Sequence, residues 1–225
     1  MKVMVLGATG LTGGKVVENL LVKPEISTVV APVRHAMTLE HPKLDQRLLD
    51  FDAMEAQAQI FQVDALVCCL GTTLKKAGSK DAFRKVDYHY ALNAARLARK
   101  AGAKTLILMS AVGASSDSPV FYSRVKGELE EAVRALEFPY LVIYHPSLLL
   151  GQRKENRTAE SLGMAVMPYA NRALVGPLRK YRAIEAKRVA AAMASEVATS
   201  GQNPAEHEGV VIREYNDILT MGNGD

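Results

Sequence analysis

An α/β fold, a doubly wound parallel sheet with a small C-terminal helical lobe, is what this sequence predicts, and three observations predict it. Short apolar runs alternate with helix-length amphipathic segments over residues 1–150. A glycine-rich loop, Gly7-Ala8-Thr9-Gly10-Leu11-Thr12-Gly13, joins the first run to the first helix, and beyond Gly151 the pattern turns helical. Strands and helices alternating through short loops give parallel strands with right-handed crossovers, and a glycine turn after the first strand favours the doubly wound order.

Residues 1–6 (MKVMVL) read as a buried strand, and 10–22 carry Leu11, Val16, Val17, Leu20 and Leu21 at helical spacing. The β-rich run 27–33 is the second strand, its end made irregular by Pro32, and 47–49 form a short third one. A helix over 53–62 leads to the apolar run 65–70 (ALVCCL), a strand covered on both faces. Residues 75–81 are polar and read as a mobile loop. A long helix over 81–100 follows, with Phe83, Val86, Tyr90, Leu92 and Leu97 inward and Gly102 ending it. The fifth strand is 104–109, Ser118-Pro119 supply a cap and first-turn proline for a helix to about Leu136, and 140–144 is the sixth strand. Helices over 158–174 and 184–199, a late strand at 210–212 and a frayed end at 221–225 complete the chain. The arrangement is that of a Rossmann fold, one domain over residues 1–225 in which 151–220 contribute the small substrate-side lobe.

The 225 residues suit one large domain, and 48% apolar with 23% charged residues is ordinary globular composition. A net charge of +4 with dispersed Lys and Arg points to no nucleic-acid partner. No apolar run reaches the roughly 20 residues of a spanning helix, so no membrane insertion is expected. Cys68 and Cys69 are neighbours in a strand, point to opposite faces and cannot staple distant segments. That implies a reducing compartment and, with no room for a signal peptide before the first strand, a cytoplasmic protein. The five histidines show no metal-ligand spacing, so no metal site is expected.

The glycine loop puts a helix N-terminus at the end of a strand, where unpaired backbone N–H groups and the helix dipole favour a phosphate. Its spacing is GxxGxxG, not the GxGxxG of the standard dinucleotide fingerprint. Cofactor choice is read at the end of the second strand, where a carboxylate would accept from the ribose 2′-hydroxyl of NAD. Val33-Arg34-His35 offers no carboxylate there, and Arg34 suits a 2′-phosphate, so NADP(H) is favoured over NAD(H).

The chemistry is expected from Tyr122-Ser123-Arg124-Val125-Lys126, which sets Tyr122 and Lys126 one helical turn apart on one face. A free phenol ionises near pH ~10, and a nearby ammonium eases its proton exchange at neutral pH. Ser110, at the carboxyl end of the fifth strand, could hydrogen-bond a substrate oxygen beside that phenol. A carbonyl held between Ser110 and Tyr122 would be polarised for hydride delivery. YxxxK is a weak motif by itself. Its place in the helix entered from the fifth strand gives it weight, because parallel sheets bind ligands beyond the carboxyl ends of their strands.

GATGLTG, CCLGTT, SAVGAS, YSRVK and HPSLLLG, in that order, resemble the short-chain dehydrogenase/reductase superfamily over residues 2 to about 150. The glycine spacing, Lys76-Ala77-Gly78, Val86-Asp87 and the YxxVKGE pattern of 122–128 are similar to its atypical branch, the Tat-interacting-protein-like NAD(P)-binding oxidoreductases. The resemblance implies that Gly7, Thr9, Gly10, Leu11, Thr12 and Gly13 line the pyrophosphate and ribose, and that Asp50 and Phe51 lie near adenine. It also implies that Leu70, Gly71 and Thr72 run under the nicotinamide half. Tyr122 becomes the general acid/base and Lys126 the residue that binds the nicotinamide ribose and tunes the phenol. The family's serine maps to Ser110, with Ser115 and Ser116 as alternatives. His145-Pro146-Ser147 stands where many relatives carry Arg-Pro-Gly, a departure at the nicotinamide contacts that Pro146 still fits. Asp87 and Asn93 fall on the long helix where relatives place polar residues behind the active site, or on a satisfied helix surface.

The expected function is thus an NADP(H)-dependent oxidoreductase acting on a small carbonyl or alcohol. The alternative is an NADPH-binding regulatory or scaffold protein with little turnover and a protein partner. The short stretch after the sixth strand argues against sugar-nucleotide epimerase or dehydratase chemistry. The resemblance also implies homodimer pairing through the helices around 81–100 and 120–136.

Overall fold

The computed structural model describes residues 1–151, 174–202 and 206–222. Seven parallel strands, β1 (Lys2–Leu6), β2 (Thr28–Val33), β3 (Leu44–Leu48), β4 (Ala65–Cys68), β5 (Thr105–Met109), β6 (Tyr140–Tyr144) and, late in the chain, Gly209–Arg213, form one sheet. The last of these is β9, and the order across the sheet is β3-β2-β1-β4-β5-β6-β9. Every pair in it is parallel, for example Val3 beside Val29 and Ala65, and Leu108 beside Ile143. Chain order reverses between β1 and β4, which opens the crevice where doubly wound sheets bind ligands. The predicted Rossmann architecture is the observed one.

One face of the sheet is covered by α1 (Leu11–Leu21) and by the helices Ala186–Gln202 and Tyr215–Met221, here α6 and α7. Val16, Val17 and Leu20 of α1 and Val189, Met193 and Val197 of α6 share one fully buried cluster with Val3, Val5 and Val67. The other face is covered by the 3-10 segment Phe51–Phe61, by α4 (Ala91–Lys100) and by α5 (Phe121–Arg134). There Met54, Phe61, Leu92, Leu129 and Val133 pack on Met4, Leu6 and Leu66. Cys68 belongs to this second cluster and Cys69 to the first, so the adjacent thiols point to opposite faces and both are free.

The departures from expectation have local causes. Residues 75–81 are not a loop. They contain α2 (Leu74–Ala77), capped by Thr73, whose hydroxyl accepts from the Lys76 amide, and closed by Gly78 at φ 81°. The next helix, α3 (Lys80–Arg84), is capped by Ser79 in the same way. The long helix then widens into a π-helical turn, Lys85–Tyr90, before α4. The segment after Asp50 is 3-10 because Ala53 and Gln57 leave helical backbone angles. β3 starts three residues earlier than the predicted strand, at Leu44. Ser118 does not cap α5: its hydroxyl accepts from the Val120 amide in a turn, and the helix starts at Phe121. Ile184–Glu185 is not helical but a two-residue strand, β8, paired in parallel with Leu149–Leu150, β7. The helix predicted over 158–174 lies, except for Leu174, outside the described residues, as do the last three residues of the frayed end.

β9 is held by charge as well as by its ladder to β6. Arg213 sends two nitrogens, each at 2.9 Å, to the two oxygens of Glu196, a carboxylate only 1% exposed on α6. The phenols of Tyr140 and Tyr144 donate to the same carboxylate. Burial works against the Glu196 charge, but the Arg213 fork and the Tyr140 hydroxyl outweigh it and hold its carboxyl below the usual carboxylate range. A pKa lowered on folding contributes stability above the unfolded value of about 4.3 and loses it as pH falls through the native value. Arg213→Met leaves this carboxylate without a cation, and the expected loss is about 3–5 kcal/mol. In urea titrations at neutral pH the variant should unfold at lower denaturant, with a shallower loss of stability on acidification below about pH 4.

Candidate nucleotide site and the residues around it

The loop between β1 and α1 is as tight as its glycines allow. Gly7 sits at φ +78°, and a Cβ there would lie 2.6 Å from the carbonyl oxygen of Cys69. A Cβ on Gly13 would overlap the Gly7 carbonyl, so the first turn of α1 can approach the strand exit only with hydrogen at that position. The Gly10 amide donates to the Gly7 carbonyl at 2.9 Å, and Gly10 caps α1 without a side-chain partner or an acid in the first turn. The N–H groups of Leu11, Thr12 and Gly13 are those of the first helical turn, which has no partners within a helix. Thr12 is 3% exposed, and its hydroxyl has no hydrogen-bond partner among the described residues. A buried orphan hydroxyl beside an uncapped helix N-terminus fits a phosphate. The residues present therefore fit the pyrophosphate of a dinucleotide.

At the end of β2, the Leu49 amide donates to the Val33 carbonyl at 3.0 Å, and Asp50 and Phe51 follow it in the chain. Arg34 is exposed at the end of β2, and Asp50 uses one oxygen to accept from the Asp52 amide. Phe51 packs on Tyr90, ring centres 5.5 Å apart.

On the other side of the crevice, Leu70-Gly71-Thr72 leave β4, and the Lys126 ammonium of α5 lies 3.9 Å from where a Cβ of Gly71 would stand. Tyr122 is 38% exposed, its ring tilted against Phe83. Lys126 is buried, and its ammonium lies 2.8 Å from Oδ1 of Asp87. Burial works against the lysine's charge; Asp87, with Tyr122 adding to it, more than offsets this and holds its pKa above the ordinary value. Oδ2 of Asp87 accepts from the Thr72 amide at 2.8 Å. Asp87 is thus in the site, not on a helix surface, whereas Asn93 binds Glu55 on the exposed side.

Ser110 has its hydroxyl engaged by a carboxylate. It is 5% exposed, and its hydroxyl donates at 2.5 Å to Glu130, a buried residue one turn beyond Lys126 on α5. The same carboxylate oxygen binds Nε2 of His145 at 2.8 Å, and Arg134 reaches the other oxygen at 3.2 Å. Burial opposes the Glu130 charge, but His145 and Ser110 prevail and hold its carboxyl below the usual range. Ser115 accepts from the Asp117 amide and Ser116 donates to Glu131. Pro146 is buried, and its carbonyl accepts from Val112. Glu130 was not anticipated, although its spacing of four from Lys126 places it on the same helix face.

A family profile described as NAD(P)H-binding matches residues 7–198. The chain belongs to this NAD(P)H-binding family. Rat protein HTATIP2 is 38% identical over 164 residues, 71% of this chain and 67% of its own. Protein fmp52, mitochondrial, of Aspergillus clavatus is 33% identical over 229 residues, 98% of this chain and 97% of its own. The resemblance to the atypical short-chain branch therefore holds. Among solved structures, MoeE5 in complex with UDP-glucose and NAD shares the fold at a TM-score of 0.66 and 13% identity, over 99% of this chain and 81% of that one. The fungal relatives from four species are named mitochondrial, which overturns the expectation of a cytoplasmic protein. Free thiols report redox poise, not cellular address. Among the described residues no helix is long and apolar enough to cross a membrane.

For a family member with this loop, Thr12→Val separates binding from stability. It removes a buried hydroxyl without a partner, so the ligand-free protein should melt at the same or a higher temperature. Its dinucleotide affinity, read by fluorescence titration, should fall about tenfold.

Proposed function

We propose that the chain is an NADP(H)-dependent oxidoreductase that transfers hydride to or from a small carbonyl or alcohol substrate, with Tyr122 as general acid/base. The observation that carries this reading is the half-exposed Tyr122 one turn from a buried, charged Lys126 at the exit of β4. Gly7, Thr9, Gly10, Leu11, Thr12 and Gly13 hold the pyrophosphate; Asp50 and Phe51 flank the adenine. Leu70, Gly71, Thr72 and Pro146 line the nicotinamide half. Arg34 pairs the 2′-phosphate, with no carboxylate in Val33-Arg34-His35 to favour NAD. The bound nicotinamide supplies or accepts the hydride. Tyr122 gives its phenolic proton to the developing alkoxide or takes it from the alcohol. Lys126 binds the nicotinamide ribose and, as a fixed cation, favours the phenolate form during that transfer.

Ser110 was assigned to the substrate oxygen, yet its hydroxyl is engaged by Glu130. That observation favours a second reading, an NADPH-binding regulatory or scaffold protein with little turnover and a protein partner. The two separate in one experiment: retained nucleotide is identified in the purified protein, and NADPH oxidation is screened against panels of small aldehydes and ketones. Under the first reading at least one carbonyl is turned over, and Tyr122→Phe lowers kcat about a hundred- to ten-thousand-fold with nucleotide affinity unchanged. Nucleotide binding with no Tyr122-dependent turnover establishes the second. Arg34→Ala should weaken NADPH about tenfold or more and leave NADH unchanged. Equal wild-type affinities for the two cofactors would remove the NADP preference.

A further inference from the structure

We propose that Lys80 and Arg124, two cations set on the ring of Phe121, form a subsite for an anionic group of the substrate, a carboxylate or a phosphate monoester on the molecule whose carbonyl meets the Tyr122 phenol. This rests on the reading of Tyr122 as general acid/base and names the substrate class of that site.

Three rings fix the place. Phe83, fully buried on α3, packs against both Phe121 and Tyr122, with ring centres 5.7 and 5.8 Å away. The Lys80 ammonium lies 5.4 Å from the centre of the Phe121 ring, and the guanidinium carbon of Arg124 lies 5.9 Å from it. Phe121 is therefore shared by two cations and joined through Phe83 to the phenol that follows it in the chain. Lys80 is exposed at the start of α3. Arg124 spends one terminal nitrogen on the Ser118 and Pro119 carbonyls, at 2.8 and 3.4 Å.

What distinguishes these two is the missing counter-charge. The neighbouring cations on the same helical segments are each matched: Arg84 with Glu128 at 2.5 Å, Lys85 with Asp52 at 2.7 Å and Lys126 with Asp87 at 2.8 Å. Among the described residues neither Lys80 nor Arg124 has a carboxylate partner, and Asp81, next to Lys80, lies in the first turn of α3, where the helix dipole favours it. An aromatic ring attracts each cation, but two cations on one ring repel each other. An anion held between them removes that repulsion and uses the nitrogens of the guanidinium fork that the backbone leaves free. Apolar surface flanks the same chain positions: Leu74, two residues beyond Thr72, is 42% exposed, and Val120, two residues before Tyr122, is 58% exposed. An acid/base phenol, apolar side chains and unmatched cations together fit a short oxo acid or oxo phosphate. The anionic group takes no part in hydride transfer; it holds the far end of the molecule so that the carbonyl is presented to the phenol.

The test compares NADPH-dependent turnover within two pairs of probes that differ by the charged group: succinic semialdehyde against butanal, and glyceraldehyde 3-phosphate against glyceraldehyde. In at least one pair kcat/KM should be about tenfold or more higher for the anion, and the pair that shows it tells carboxylate from phosphate. Because Lys80 is exposed, the preference should shrink as salt is raised. Lys80→Met should lower the ratio of anionic to neutral kcat/KM about tenfold, and Lys80→Arg should keep it. Lys80 carries the test because Arg124 also braces the turn before α5. Equal values within both pairs, or a preference unchanged by Lys80→Met, overturn the proposal and leave the reading of Tyr122 standing, since the neutral aldehydes still report on it. No turnover of any of the four that Tyr122→Phe abolishes overturns that reading, and the proposal with it.

Discussion

The close approach of α1 to the exit of β1 is the constraint on which the rest of this molecule depends. It exists because Gly13 carries hydrogen where any side chain would overlap the Gly7 carbonyl, and because Gly7 takes a backbone conformation closed to most residues. With α1 seated there, Val16, Val17 and Leu20 reach the sheet and form the surface that α6 covers. Each of those side chains is worth about 1.5–3 kcal/mol of burial, so the loop and the core are one requirement. The same approach leaves the first-turn amides and the Thr12 hydroxyl without partners. The cost of those orphans in the ligand-free chain is the physical counterpart of affinity for a phosphate.

Beyond that loop, the junctions between helices and strand ends are made by buried carboxylates. Asp87 joins the long helix to β4 and α5, Glu130 joins α5 to the ends of β5 and β6, and Glu196 joins α6 to β6 and β9. All three are less than 4% exposed, and each has a cation and at least one hydrogen-bond donor. Carboxylates this deep are tolerable only when so satisfied, and truncating any partner leaves an uncompensated charge. Asp87 and Glu130 both bind residues that follow the carboxyl ends of strands, β4 for Asp87 and β5 and β6 for Glu130, the edge of the sheet on which the glycine loop also lies.

The fold was legible because it is written in periodicities that do not depend on distant residues. Continuous apolar strands, amphipathic helices and a glycine loop between the first two elements lead to the observed strand order. Capping chemistry was the weak point. Thr73, Ser79 and Gly78 make two helical turns of a segment whose polarity suggests a loop, and Ser118 makes a turn where a helix cap was expected. The site was legible where it is local, as in the loop and the Tyr122–Lys126 spacing. It was not legible where a partner comes from far along the chain. Nothing near Ser110 announces Glu130, twenty residues on, and nothing near Lys126 announces that its counter-ion lies in a widened helical turn. A polar residue at 87 in a helix otherwise reading Phe83, Tyr90 and Leu92 inward was the available signal.

The engagement of Ser110 divides the site into two unequal halves. The side facing the nucleotide is preorganised: glycines fix the loop, an orphan hydroxyl awaits a partner, and Lys126 is held charged by Asp87. Around Ser110, polar side chains among the described residues are engaged with one another or with backbone. Ser110 and His145 bind Glu130, Ser116 binds Glu131, and Ser147 binds the Arg182 carbonyl. Of Ser110, Tyr122 and Lys126, Tyr122 is the exposed one, 38% exposed beside Phe83. The prepared contacts of this site, the glycine loop, the Thr12 hydroxyl and the Lys126 ammonium, are thus on the side that suits a dinucleotide.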